Sequence, residues 1–129
     1  MAEAFAEKLH LDIRKKYWGY SEDENLEMED ILKGKYVGIR PAVGYPSMKD
    51  QKEIEKIFNI LKSENKTNVE ITESYMIDPA SSVCGLYFAN KNAKYFDVYK
   101  IDENQLEDYS KRNGSSIAEL KGRLPYISK

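Results

Sequence analysis

Apolar residues recur at spacings of three and four at the start of the chain. Ala2, Ala6, Leu9, Ile13 and Tyr17 share one face, which predicts an amphipathic helix of about four turns. Gly19, just past Trp18, offers the left-handed cap that ends it. A short second helix is predicted over residues 26–33, stopped by Gly34. Between residues 35 and 49 the chain holds Gly38, Pro41, Gly44 and Pro46, a density of breakers that excludes regular structure. Asp50 then caps a helix over 51–63, with Ile54, Ile57, Phe58 and Leu61 as its buried stripe. Residues 64–67 form a turn, and Val69 and Ile71 alternate with polar neighbours as a short strand does. Two β-branched and aromatic runs follow, 83–89 and 95–101, and the polar stretch 90–94 between them predicts an antiparallel hairpin. Asp102 caps a helix to residue 112 that Asn113 and Gly114 end. Ser115 or Ser116 caps a last helix whose Ile117, Leu120 and Leu124 face inward, and Pro125 stops it. The order predicts an α+β fold, a small antiparallel sheet with flanking helices.

Composition narrows the functions such a fold can carry. A chain of 129 residues makes one compact domain or part of a larger one. The balance of 20 basic and 22 acidic residues, net −2, argues against nucleic-acid or membrane partners held by bulk charge. No apolar run approaches the ~18 residues of a spanning helix. The single cysteine, Cys84, reads as a small buried hydrophobe and builds neither an internal disulfide nor a zinc site. The single histidine, His10, stands at helical spacing from Glu7 and Arg14 and is expected on a solvated face. A reducing, cytoplasmic setting and no metal centre are expected. No Ser, Thr, Asp or Asn precedes the first helix as a cap, as expected of a cut inside a longer protein.

The chemistry concentrates in Gly38-Ile39-Arg40-Pro41-Ala42-Val43-Gly44-Tyr45-Pro46. Pro41 pushes Arg40 toward extended backbone, so the guanidinium projects from a stiff loop. Its planar fork suits a carboxylate or phosphate. The residues alone leave two readings open, an anion-reading loop and a rigid turn in which Arg40 pairs with a structural carboxylate. Glu3 alone reads as a helix-start carboxylate favoured by the helix dipole, and Tyr95 as a cross-strand aromatic.

That loop resembles a known family. So, in the family's order, do Ala2-Glu3-Ala4-Phe5-Ala6-Glu7, Tyr17-Trp18-Gly19-Tyr20, Asp23-Glu24-Asn25-Leu26, Thr72-Glu73-Ser74, Gly85-Leu86-Tyr87-Phe88, Lys94-Tyr95-Phe96 with Val98, and Glu107-Asp108-Tyr109. The family is the activation domain of cobalamin-dependent methionine synthase, and the resemblance runs from Ala2 to about Leu124. It implies that residues 1–129 are the C-terminal portion of that module, cut at its N-terminus, and that further module upstream of Met1 supplies another acidic ligand contact. It implies binding of S-adenosylmethionine in support of reductive re-methylation of oxidised cobalamin, the cobalamin itself being held by another domain. Cobalamin-domain and flavodoxin or flavoprotein-reductase partners are implied too, with no catalysis by this piece alone. Arg40 is implied to hold the methionyl carboxylate, the backbone and ring of Ala42 to Tyr45 to form pocket wall, and Tyr95, Phe96 and Glu3 to touch the ligand. Such a ligand wants an Arg, a carboxylate and an aromatic face for its cation, which Arg40, Glu3, Tyr45 and Tyr95 supply. The alternative is a docking fragment that contacts the cobalamin domain or flavodoxin without binding ligand. Gly34, Gln51-Lys52 and the tail after Leu124 depart from the family's pattern.

Overall fold

A computed structural model describes residues 1–62 and 67–124. Helix α1 covers Ala2–Asp12 and runs into a π-helical turn, Ile13–Tyr17, closed by Gly19 at φ +69°. Its buried face is not the predicted one. Ala2, Ala6, Leu9 and Ile13 are half-buried and Tyr17 is exposed, whereas His10 and Arg14 are wholly buried. The expectation of a solvated His10 is therefore corrected. An apolar periodicity cannot register a face that is buried because its polar groups find partners. Here the chain after the π turn folds back, so that Glu24 meets Arg14 and the Tyr20 hydroxyl meets His10.

Helix α2 is Met28–Leu32, followed by Gly34 at φ +67°. Helix α3 is Glu53–Leu61 and ends at Lys62 in the left-handed conformation. Ile54 and Phe58 are buried on its inner side, while Leu61 is exposed. The predicted end of this helix at Ser63 and most of the turn after it lie outside the described residues. Asp50 opens the turn before the helix, accepting from the Lys52 amide at 3.1 Å.

The small sheet is antiparallel and two-stranded, pairing β1, Glu70–Ile71, with β2, Ile77–Asp78. The first strand is the one the Val69/Ile71 alternation predicted. The 83–89/95–101 hairpin does not form. Instead, the 83–89 run lies against the breaker-rich loop through antiparallel bridges Ile39–Phe88 and Ala42–Gly85. Ile39 and Phe88 exchange backbone hydrogen bonds of 3.1 and 2.9 Å, and the Leu86 amide donates to the Pro41 carbonyl at 3.0 Å. The 95–101 run meets the far end of the same loop. The Phe96 amide donates to Ser47 Oγ at 3.2 Å and the Val98 amide to the Pro46 carbonyl at 3.4 Å. Alternation marks an extended segment without naming its partner, and here one loop takes both runs. Gly38 and Gly85 allow the approach: a Cβ on Gly38 would sit 2.3 Å from the Phe88 oxygen, and one on Gly85 would sit 2.6 Å from that of Pro41.

Helices α4, Glu103–Asn113, and α5, Ile117–Arg123, begin with capping boxes, Asp102 with Gln105 and Ser116 with Glu119. Gly114 ends α4 at φ +68°. Leu106, Leu120 and Leu124 are buried with Tyr36, Ile39, Ile54 and Phe58 in the core. Ile117 stays partly exposed, and Pro125 lies outside the described residues. A polar clamp locks the start of α3 to the C-terminal pair. Arg123 donates to both Asp50 oxygens at 3.0 and 3.1 Å, and the Tyr109 hydroxyl lies 2.9 Å from Asp50 and 2.8 Å from Glu53. Burial works to raise the Asp50 carboxyl, but hydrogen bonds from Arg123, Tyr109 and the Lys52 amide outweigh it and hold the group below the ordinary range. Among the described residues no helix is long and apolar enough to cross a membrane.

Candidate functional site

Arg40 projects from the loop that both extended runs grip. Its neighbours on either side are fixed: Ile39 is buried and bridged to Phe88, and Pro41 is buried with its carbonyl bonded to Leu86. The Arg40 amide donates to the Tyr95 hydroxyl at 2.9 Å. The guanidinium forms an ion pair with Glu7 of α1, both side chains partly exposed at 21% and 33%. The structure therefore joins Arg40 directly to one residue the sequence singled out, Tyr95, and to one it did not, Glu7. Glu3 is exposed one helical turn before Glu7, on the same side of α1. The spacing puts both carboxylates on one face of α1, but nothing in the sequence ties that face to Arg40.

Ala42 is held by its bridge to Gly85, and its carbonyl accepts from the Tyr45 amide at 3.3 Å. The rings of Tyr45, Tyr95 and Phe96 are all largely exposed, and Phe96 is tethered through its backbone to Ser47. Gly44 and Pro46 also line, with Gln51, Ser74, Tyr75 and Arg123, a half-open cavity of about 440 Å³ whose lining includes neither Arg40 nor Tyr95.

Beneath Arg40 runs a polar and aromatic stack that the sequence did not disclose. The Tyr36 hydroxyl stands 3.4 Å from that of Tyr95. The Arg14 guanidinium lies 4.4 Å from the Tyr36 ring centroid, and the His10 ring meets the same ring edge-on at 4.8 Å. Arg14 is in turn gripped by both oxygens of Glu24, at 2.7 to 3.1 Å. Burial, with the charges of Arg14 and Arg40, pushes His10 down to about 3, so the ring is neutral. Burial first, and the Tyr95 hydroxyl next, hold the Tyr36 phenol well above its ordinary value. Cys84 is half-buried and its thiol is raised by burial, the behaviour of an inert thiol. Among the described residues no group of His, Cys, Asp and Glu is placed to hold a metal ion.

Known proteins share this fold. A crystallised MetH reactivation domain bound to AdoHcy shares the fold with a TM-score of 0.92 and 42% identity. The match covers 98% of this chain, α5 included, and 39% of that one, so this chain spans about two-fifths of its length. The model of the family described as vitamin B12 dependent methionine synthase, activation domain, matches residues 1–114, which hold Glu3, Glu7, Arg40 and Tyr95. The chain belongs to the activation-domain family of vitamin B12-dependent methionine synthase.

Proposed function

We propose that this chain binds S-adenosylmethionine, and its product AdoHcy, at the Arg40 loop. The observation that carries the reading is the 42% identity, over almost the whole chain, to a reactivation domain that binds AdoHcy. The local chemistry fits. The amino-acid end of the ligand is a zwitterion, and Arg40 beside Glu7 is its complement. Arg40 takes the carboxylate in a two-pronged, charge-assisted contact, while Glu7 and Glu3 face the ammonium. Ala42 and Tyr45 form wall, and the exposed rings of Tyr95 and Phe96 offer faces for the sulfonium. In the parent enzyme the module would act in the cytoplasm beside a cobalamin-bearing domain, during re-methylation of oxidised cobalamin with an electron from flavodoxin or a flavoprotein reductase. The second reading, docking without ligand, draws on Phe96 and Tyr99, exposed at 59% and 79%.

Isothermal titration separates the two. The parent chain should bind S-adenosylmethionine and AdoHcy, and Arg40→Ala should lose both. Because the Arg40–Glu7 pair is partly solvated and worth at most about 1 kcal/mol, the variant should melt close to the parent. No heat of binding from the parent would favour docking alone.

A further inference from the structure

We propose that Tyr36 is a positioning residue that makes Tyr95 a hydrogen-bond donor to the carboxylate of the bound ligand. The inference rests on the ligand reading above and adds a residue to it. A phenol oxygen has two acceptor positions and one hydrogen to give. The Arg40 amide occupies one acceptor position of Tyr95 at 2.9 Å. The Tyr36 hydroxyl stands 3.4 Å away, a pair in which either oxygen can donate; in the proposed arrangement Tyr36 donates and fills the other. Tyr36 is 9% exposed and the Tyr95 oxygen is the acceptor within reach of its hydrogen, whereas Tyr95, 49% exposed, has acceptors outside the pair open to its own. With both acceptor positions occupied, the Tyr95 hydrogen is left to point away from Arg40 N and Tyr36, and Tyr95 itself is about half exposed. A carboxylate seated on the Arg40 guanidinium is the acceptor that geometry suits.

The stack below Tyr36 keeps its hydroxyl in place. Arg14 covers the ring, His10 abuts its edge, and the Glu24 carboxylate fixes Arg14 in a two-pronged contact. The ring therefore cannot swing away from Tyr95 without disturbing a wholly buried guanidinium. The hydroxyl separation is longer than the ~2.7–2.8 Å mode for such pairs, which places the expected effect at the modest end of hydrogen-bond contributions.

The test uses the full chain and three ligands. Tyr36→Phe keeps the ring, its contact with Arg14 and the packing. It should weaken S-adenosylmethionine and AdoHcy roughly two- to threefold, the low end of the range of a single neutral hydrogen bond. It should leave 5′-methylthioadenosine, which has no carboxylate, unchanged. In a Tyr95→Phe background the same substitution should have no further effect, since the group it orients is gone. The Arg40 amide resonance, observed without ligand, should move in Tyr36→Phe. Equal losses for all three ligands, or no loss for any, would overturn the positioning role while leaving the ligand reading intact. Additive losses in the double variant would overturn it as well. A parent chain that binds none of the ligands would sink the ligand reading and the orienting role together. In that case the Arg40 amide shift still reports whether the hydroxyl pair exists.

Discussion

Lowering the pH from 7 to 5 should destabilise this domain through one residue. His10 is wholly buried, its Nε2 lies 3.1 Å from the Tyr20 hydroxyl, and its Nδ1 has no partner. Burial first, then the charges of Arg14 and Arg40, lowers its pKa from 6.5 to about 3. Between those values the unfolded chain binds a proton that the folded one refuses. The stabilisation is therefore full above about pH 6.5 and is lost progressively as the pH falls toward 3. At about 1.4 kcal/mol per unit, the unit and a half between 6.5 and 5 amounts to roughly 2 kcal/mol. For a domain of this size that corresponds to a fall of roughly 6–10 °C in Tm. The window is unusually clean, because the chain has a single histidine and Asp50, held low, titrates below it. Urea unfolding at pH 7, 6 and 5 reads the slope directly, and His10→Gln should flatten it whatever its own stability. A parent whose unfolding free energy is constant from pH 7 to 5, or a His10→Gln variant with the parent's slope, would refute the reasoning.

Three other outcomes follow from the packing and the site. Glu24→Gln leaves Arg14, wholly buried, without its carboxylate, and should cost about 3–5 kcal/mol in urea unfolding. Changing both residues to apolar ones should recover much of that loss. Gly38→Ala places a methyl 2.3 Å from the Phe88 oxygen at φ +82°, so the Ile39–Phe88 bridge must open; a loss of about 2 kcal/mol or more is expected in the same assay. Tyr95→Phe removes the acceptor of the Arg40 amide and should weaken S-adenosylmethionine binding by titration calorimetry, though less than Arg40→Ala, which removes charge-assisted bonds of about 1.5–3 kcal/mol.

The parts of this fold that the sequence disclosed are those settled within a few residues. Asp102, the Ser115-Ser116 pair and Gly114 announce their helix ends because a cap acts within one turn, and the structure selects Ser116 and adds the partners Gln105 and Glu119. The stiffness of the Arg40 loop was legible because Pro41 restricts the backbone at and before itself and Gly44, at φ +87°, can take a conformation other residues avoid. What stayed hidden depends on residues far apart in the chain. His10 and Arg14 look like surface until Tyr36 and Glu24 arrive, and the 83–89 run has no feature that prefers the 39–43 loop over the 95–101 run. Glu7 was invisible as the partner of Arg40 for the same reason, 33 residues apart. The Tyr95 hydroxyl contact with Arg40 N spans 55 residues, so the sequence showed a ring and not what its oxygen does.

The Asp50–Arg123 clamp joins positions 73 residues apart. Closing a loop of that length costs roughly 4 kcal/mol of chain entropy. During synthesis at roughly 5–20 residues per second, several seconds separate the emergence of its two ends. Over that interval the start of α3 holds a carboxylate whose guanidinium has not yet been made. Burying it early would strand a charge, so α3 has reason to stay undocked until α5 leaves the ribosome. The last helix thus acts as the latch of the nascent domain, and ribosome-bound chains ending before Arg123 should remain open to protease at α3.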